Sequence, residues 1–536
     1  MGIYLNSGDA CSMYKSETMK PYFIDKSRML EELMPLVDSG NNFICITRPR
    51  RFGKSVAANM IGAFFSCACD AEEIFDSLYV AKTPDYRKHL NQHDVIYIDF
   101  SEIDDDCTDY MTYINRIKSL LREDLRTTYP EVFFREDGSI AEDLKRVYKY
   151  THRKYIFVFD EWDAIFHVPF ITEKDQQAYL RFLRSLLKGK AYVSLAYMTG
   201  ILPIAKYSSG SELNMFLEYT MATESKYSEY FGFVDEEVDE LYDRYMERAH
   251  EPMICREGLK MWYDGYHTLS GKRIYNPRSV VAALTNNNLG NYWTSSGPYD
   301  EIFYYIKHNI ADVRDDLALM AAGIPVPVKI QEYAAASMNL RTKDEIFSAM
   351  VVYGFLSYEN GYVSIPNKEL MNQFSDMLQK EQSLGYVYRL AKESEKMLKA
   401  TLSGDTKTMA EILEFAHDTE VPLLNYNNET DLTAVVNLVY LAARDFYRIE
   451  REDKAGIGYV DFIFYPEKDL GLDAIILELK VNHTPEEAVQ QIKDKKYALR
   501  FSPGIGEERK YKGRILAVGI AYDKRTKKHG CKVEVL

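Results

Sequence analysis

The sequence predicts an α/β protein with a parallel sheet in its N-terminal part, a mainly helical middle region with a winged-helix-like unit, and a C-terminal α/β unit. Three observations carry this. Apolar strand-length runs at FICIT (43–47), DVIYIDF (94–100), YIFVFDEWD (155–163) and AYVSLAYMTG (191–200) alternate with helical segments, as in a parallel sheet covered on both faces. Residues from about 235 to 400 read as helical, with an interruption at TNNNLGN (285–291). Strands return at GYVDFIFYP (458–466), AIILELKVN (474–482), RILAVGIAYD (514–523) and CKVEVL (531–536). At 536 residues the chain exceeds one core, and the expected divisions are 1–234, 235–400 and 401–536.

The formal charge of −15 argues against a protein that coats nucleic acid over its whole surface, while leaving room for local basic grooves. Seven cysteines, at 11, 45, 67, 69, 107, 255 and 531, form no CxxC pair, so neither a disulfide framework nor a zinc ribbon is indicated. No apolar run reaches membrane-spanning length and the N-terminus has no signal-peptide pattern. A cytoplasmic protein with no membrane partner is expected.

Taken in order, the first chemical element is the stretch Phe43–Phe65. An apolar strand, the loop RPRRFGKS and an apolar-periodic helix make a cradle for nucleotide phosphates, which suggests ATP or GTP. Gly53 keeps side-chain bulk off the anion, Lys54 can reach the β/γ-phosphates, and Ser55 can offer its hydroxyl to Mg2+. The helix beginning near Ser55 points free N–H groups at the same place. Arg48 stands where the usual first glycine belongs, and Arg48, Arg50 and Arg51 can hold phosphate or simply be solvated. The expected nucleotide set is Arg51, Phe52, Gly53, Lys54, Ser55 and Val56, joined by Asp160 and Thr199.

The strand YIFVFDEWD delivers Asp160 and Glu161 to a strand end, where ligands sit in open α/β sheets. Asp160 is expected to hold Mg2+ with Ser55, and Glu161 to polarise the attacking water. The plain alternative is two surface carboxylates. Thr199, at the end of the next strand, can place a hydroxyl near the γ-phosphate, although such a threonine often serves only a cap or turn. Lys206 and Arg278 are candidates for a charge-neutralising finger.

Phe23-Ile24-Asp25-Lys26, TRPRRFGKS (47–55), FDEWD, MTGILPIAK (198–206), YFGF (230–233), WYDGY (262–266) and IYNPRSV (274–280) together resemble the bacterial AAA-ATPase-like family. The resemblance implies a P-loop NTPase core using ATP, places Arg48 within the family's own loop signature, and implies a homo-oligomer such as a ring or dimer. Members commonly carry a C-terminal nuclease-like domain.

In the middle region, DEIFSAMVVYG (344–354) and FLSYENGYVSI (355–365) read as a helix and a hairpin around an Asn-Gly turn. The tip carries Glu359 and no basic residue, which favours packing beside the core over binding of duplex DNA.

The C-terminal unit concentrates its chemistry in Asp461 and Glu478-Leu479-Lys480. Alternation puts Glu478 and Lys480 on one strand face, and Asp461 on the adjacent strand, expected to be antiparallel, can meet them. Two carboxylates beside a lysine call for a hard cation, Mg2+ or Mn2+, and Lys480 can then orient the attacking water at a phosphodiester. A cross-strand ion pair on a solvent face is the plain alternative. The pattern resembles that of the PD-(D/E)XK nuclease superfamily, with Val460 in place of the proline, and implies a restriction-endonuclease-like fold. Glu429, opening the helix at 428–444, is a further metal-ligand candidate. Gln491 and Tyr497 resemble the Q-x6-Y ornament of related nucleases.

Lys493, Lys495, Lys496, Arg500, Arg509, Lys510, Lys512, Arg514, Lys524, Arg525, Lys527 and Lys528 make this end basic, suiting a DNA or RNA substrate. The expected function is an ATP-binding, ATP-hydrolysing module coupled to an Mg2+-dependent nuclease, with Glu161, Asp461, Glu478 and Lys480 as catalytic residues. The alternative is an ATP-dependent binding switch whose nuclease fold is catalytically degenerate.

Overall fold

The computed structural model describes residues 2–204, 212–221, 224–293, 310–321, 323–330, 340, 342–418, 429–455, 458–467, 469–501 and 511–536. The chain falls into two compact units, Met1–Ser296 with Val328–Gly361, and Gly297–Pro327 with Tyr362–Leu536. The middle region is therefore shared between them.

In the first unit, strands β1 (Phe43–Thr47), β2 (Asp94–Asp99), β3 (Tyr155–Asp160), β4 (Val193–Gly200) and β5 (Leu217–Tyr219) form a parallel sheet in the order β2-β3-β4-β1-β5. Every position of β3 and β4 is buried, which explains why these strands read as unbroken apolar runs rather than alternating ones. Among the flanking helices are α1 (Lys54–Phe65), α2 (Tyr110–Thr128), α3 (Ile140–Thr151) and α4 (Glu173–Leu187), while α5 (Pro277–Asn286) enters a second core with Tyr22, Val238, Leu241 and Tyr263. Their starts are locally specified. Asp109 accepts the Thr112 N–H at 2.9 Å, Ser139 with Glu142 and Thr172 with Asp175 form capping boxes, and Asn276 caps α5. On α2, Tyr113, Ile114, Ile117, Leu121 and Leu125 recur at helical spacing and enter the core beside the sheet.

The helix Lys343–Tyr353 ends on Gly354 at φ +84°, and the strands Ser357–Glu359 and Tyr362–Ser364 lie on either side of Asn360 and Gly361, both at positive φ. A Cβ on Gly354 would stand 2.7 Å from Pro49 Cβ, and Phe355 meets Trp293 edge-on at 5.0 Å. The end of this helix thus packs beside the phosphate loop, in keeping with a packing role for the element.

In the second unit, β6 (Tyr447–Ala455), β7 (Gly458–Pro466), β8 (Ala474–Val481), β9 (Ile515–Asp523) and β10 (Lys528–Val535) form a sheet in sequence order. All neighbours are antiparallel except β8 and β9. A parallel pair needs a crossover, and the chain between them contains helix α8 (Pro485–Asp494). Helices α6 (Tyr386–Ser403) and α7 (Glu429–Val439) precede the sheet, and α8 (Pro485–Asp494) opens with a Thr484–Glu487 capping box. Val489 and Ile492 of α8 join Val460, Ile463, Ala474, Ile476 and Ala517 in one core, so α8 covers the sheet face on which alternation also places Glu478 and Lys480. Among the described residues, no helix is long and apolar enough to cross a membrane.

Candidate active sites

The first site lies where β1 and β3 end, with β4 between them. Gly53 caps α1 at φ +89°, a conformation that favours glycine, and Lys54 begins the helix. The Lys54 side chain is only 3% exposed. Its Nζ donates to the Pro49 carbonyl at 3.3 Å and lies 3.5 Å from Glu161 Oε1. Ser55 and Val56 are exposed at the mouth.

Asp160 and Glu161 are consecutive, so a regular strand would turn them to opposite faces. The backbone prevents that by taking Glu161 into the left-handed region at φ +47°, while the Glu161 N–H donates to Asp160 Oδ1 at 3.0 Å. Asp160 is fully buried, its Oδ2 has no hydrogen-bond partner among the described residues, and burial pushes its carboxyl up to about 7, opposed by the Ser55 hydroxyl and reinforced by Asp99 and Glu161. A buried carboxylate oxygen with an unmet acceptor beside a serine hydroxyl suits a hard divalent cation.

A cleft of about 420 Å3 runs past these groups, lined by Arg51, Phe52, Gly53, Lys54, Ser55, Val56 and Glu161 on one side. Tyr22, Phe23, Ile24 and Val281 line its apolar part, and Arg278 of α5 lines it too. Lys206 lies outside the described residues.

Several loop residues serve the framework. Arg48 is 1% exposed, donates through Nη1 to the carbonyls of Thr47 (2.7 Å) and Tyr219 (2.9 Å), and lies 5.1 Å over the Phe231 ring. It is neither solvated nor at the cleft wall. Arg51, at φ +69°, spends Nη1 on the Trp293 carbonyl at 2.8 Å. Phe52 is buried against Tyr266 with ring centroids 5.0 Å apart, and its carbonyl accepts the Gly232 N–H. Thr199 is fully buried and its hydroxyl donates to the Ile46 carbonyl at 2.9 Å, across to β1.

Sequence reasoning missed Asp163. Its carboxylate accepts the N–H groups of Ile201 and Leu202, and a Cβ at Gly200 would stand 2.2 Å from its Oδ1. The second aspartate of FDEWD thus braces the end of β4, and the Gly after Thr199 was the available signal.

The second site forms where a ladder stops. β7 and β8 pair as far as Phe462↔Leu477, and beyond that point the Asp461 carboxylate takes the Leu479 N–H at 2.7 Å. Glu478, 3% exposed, receives hydrogen bonds on Oε1 from Lys480 Nζ at 3.0 Å and from Gln491 of α8. Among the described residues its Oε2 has no partner, and burial, then the facing Asp461, push its carboxyl up to about 7. Gln491 also hydrogen-bonds Tyr497, which is buried. Asp461, Glu478, Lys480, Gln491 and Tyr497 are thus brought together. The two carboxyls, one with an unmet oxygen, suit an oxygen-seeking divalent ion. Glu429 begins α7, and its side chain lies outside the described residues.

The basic residues divide by what they already hold. Lys493 pairs with Glu534 at 2.5 Å, Arg514 with Asp473 at 2.6 Å, and Arg500 donates to the Tyr465 hydroxyl at 3.1 Å. Lys524, Arg525, Lys527 and Lys528 are exposed on the β9–β10 turn, while Arg509 and Lys510 lie outside the described residues.

Residues 14–209 match the family model described as Predicted AAA-ATPase, and residues 428–529 match the PD-(D/E)XK nuclease superfamily. No curated protein matches the chain. Similar solved structures include a Walker-type ATPase of Pyrococcus abyssi, 11% identical, covering 65% of this chain and 94% of that one with a TM-score of 0.37. The Aeropyrum pernix ORC2 protein in ADPNP-ADP complexes is 12% identical, with 70% and 94% covered and a TM-score of 0.33. The Aeropyrum pernix ORC1 protein in complex with DNA is 14% identical, with 66% and 91% covered and a TM-score of 0.27. The two matched segments fall in different units, each holding one of the sites: the chain joins a member of the predicted AAA-ATPase family to a PD-(D/E)XK nuclease superfamily domain.

Proposed function

We propose that the protein is an ATPase coupled to a divalent-ion-dependent nuclease acting on DNA or RNA phosphodiesters. The observation that carries this reading is shared by both sites. Each buries a carboxyl group with one oxygen lacking a partner among the described residues, Asp160 Oδ2 and Glu478 Oε2, close to a lysine ammonium. Such an oxygen costs about 1–3 kcal/mol unless something completes it, and a divalent cation would.

At the first site Lys54 would meet the nucleotide's β/γ-phosphates, giving up its contact with Glu161. Ser55 and Asp160 would hold Mg2+, Glu161 would then be free to orient the attacking water, and Arg278 would add positive charge from the cleft wall. Arg51, Phe52, Gly53 and Val56 shape the loop and mouth. At the second site Asp461 and Glu478 would hold Mg2+ or Mn2+, with Glu429 a further candidate. Bound there, the ion would supply Lewis-acid stabilisation of the charge that builds on the phosphate. Lys480 would orient the water that attacks phosphorus, and Gln491 keeps Glu478 aimed inward.

The test incubates the full-length protein with plasmid, linear and single-stranded DNA, and with RNA, with Mg2+ or Mn2+, with and without ATP. Cleavage is expected to require the ion, to respond to ATP, and to disappear in Asp461→Ala and Lys480→Ala. Binding without cleavage under every condition would instead favour an ATP-dependent binding switch with a degenerate nuclease fold.

A further inference from the structure

The structure sorts the basic residues of the C-terminal unit by what already holds them. Lys493, Arg500 and Arg514 are committed to Glu534, Tyr465 and Asp473. None of Arg525, Lys527 and Lys528 is in an ion pair among the described residues, and all three are exposed. Arg525 and Lys527 stand on the tight turn of DKRTKK (523–528) that joins β9 to β10, and Lys528 opens β10 opposite Asp523.

This turn has a built shape. Asp523 Oδ1 accepts the N–H groups of Arg525 (2.8 Å) and Thr526 (3.1 Å), so the one acid of the turn folds it and is partly spent in doing so. Lys527 sits at φ +56°, a left-handed position that costs a non-glycine residue some strain.

Its position is also fixed. β8 and β9 are parallel, so their carboxyl ends lie at the same edge of the sheet, with Lys480 opposite Ala521 and Val481 opposite Tyr522. Just past Lys480, Asn482 at φ +61° donates its N–H to the Tyr522 carbonyl and accepts the Lys524 N–H on Oδ1 at 3.1 Å. The segment that leaves the Glu478-Lys480 pair is therefore hydrogen-bonded to the first residue of the basic turn. β9 runs two residues past Ala521 before the chain turns, about 7 Å at the usual rise of a strand. That is within reach of neighbouring phosphates on a strand held at Lys480.

We infer that the β9–β10 turn, through Arg525, Lys527 and Lys528, grips the phosphodiester backbone of the polynucleotide whose scissile bond lies at Asp461, Glu478 and Lys480. The inference rests on the nuclease reading of that site and adds the surface that positions its substrate. Recognition of this kind is electrostatic and indifferent to base sequence, and it weakens steeply with salt.

The test compares the full-length protein with a triple variant, Arg525→Glu, Lys527→Glu and Lys528→Glu. A control of equal charge change on α6, Lys392→Glu, Lys396→Glu and Lys399→Glu, separates local grip from overall charge. Binding of fluorescent single-stranded DNA, duplex DNA and RNA 30-mers is measured in EDTA across a salt series, and cleavage of the same strands is measured with Mg2+. The turn variant is expected to bind at least 10-fold more weakly at low salt, with the slope of log affinity against log salt smaller by about 2–3, since each neutralised phosphate contributes about 0.7–0.9. Its cleavage is expected to show a raised KM with little change in kcat, and the arm most affected identifies the polynucleotide. Equal losses in the turn and control variants, or no loss in either, overturn the inference while wild-type cleavage leaves the nuclease reading standing. A wild-type protein that neither binds nor cleaves any of the three strands removes both.

Discussion

The two units assemble similar side chains in different ways. In the first, Gly53, Lys54 and Ser55 are consecutive, the loop backbone itself holds the lysine, and both carboxyls come from one strand end. In the second, the carboxyls come from two strands at the point where their ladder stops, the lysine is two residues from its partner, and a helix reaches across to hold Glu478. A site made from one loop can be prepared by local dihedrals alone, at the expense of strain at Glu161. A site made from two strands and a helix depends on tertiary packing, because Gln491 holds its angle only while Val489 and Ile492 stay in the core. Substitutions should therefore act locally at the first site and be more widely felt at the second.

The largest expected effect tests whether the two chemistries are separable. Lys54→Ala should lower ATP turnover by at least about 100-fold, the scale of a lost charge-stabilising group, and leave ATP-independent cleavage intact. Lys480→Ala should do the reverse, removing cleavage and sparing ATP turnover. Parallel turnover assays on both variants check this. If either variant loses both activities without unfolding, the sites act as a single unit and the contrast drawn above fails.

Next come one acid of the first site and the amide that holds an acid of the second. Glu161→Gln should keep nucleotide affinity and slow hydrolysis by about 10²–10⁴, the usual reach of a positioned base. Gln491→Ala should reduce cleavage by about 10–100-fold through misplacement of Glu478, the scale of losing a partner that orients a metal ligand. Calorimetric Mg2+ titration of the second variant should show weaker binding. If Glu161→Gln proves harmless, the left-handed backbone at this residue has no catalytic purpose.

How much of this was legible followed from distance along the chain. The phosphate loop is contiguous and could be seen as Gly53-Lys54-Ser55 between an apolar strand and an apolar helix. The pairing of Asp461 with Glu478 and Lys480 was legible through the period of two in a strand. What escaped notice was decided by long-range packing. Arg48 looks like a surface cation, yet Phe231 and two carbonyls bury it; Phe52 looks like a loop residue, yet Tyr266 claims its ring. The basic run near the C-terminus hid which of its cations acids already hold, a difference that no composition reveals.

A smaller effect concerns pH and holds for both sites alike. Asp160 and Glu478 both sit near 7 in the ion-free fold, well above 3.8 and 4.5. Because a cation requires the ionised form, Mg2+ affinity should rise by up to about 10-fold per pH unit below about 7 and level off above it. For stability the sign is opposite. The ion-free fold holds protons that the unfolded chain has already released, so its melting temperature should fall as pH rises from about 4.5 through 7. The stabilisation by added Mg2+ should then be greatest above 7. Melting curves with EDTA and with Mg2+ across this range check both statements, and a site whose affinity is flat in pH does not use its buried acid.

The smallest effect is the sharpest test of how the first site is built. Thr199 stands at the end of β4 beside the loop strand, where a hydroxyl could report on the γ-phosphate, but it donates to Ile46 and is wholly buried. If that bond is its whole role, Thr199→Val should cost about 1 kcal/mol of stability, the net worth of one hydrogen bond, with ATP turnover within about 3-fold of wild type. Thr199→Ser should restore the stability. A loss of turnover of 100-fold with an unchanged melting temperature would mean that nucleotide binding pulls the hydroxyl away from Ile46. The first site would then also depend on a contact between strands, and the contrast with the second would narrow to the lysine alone.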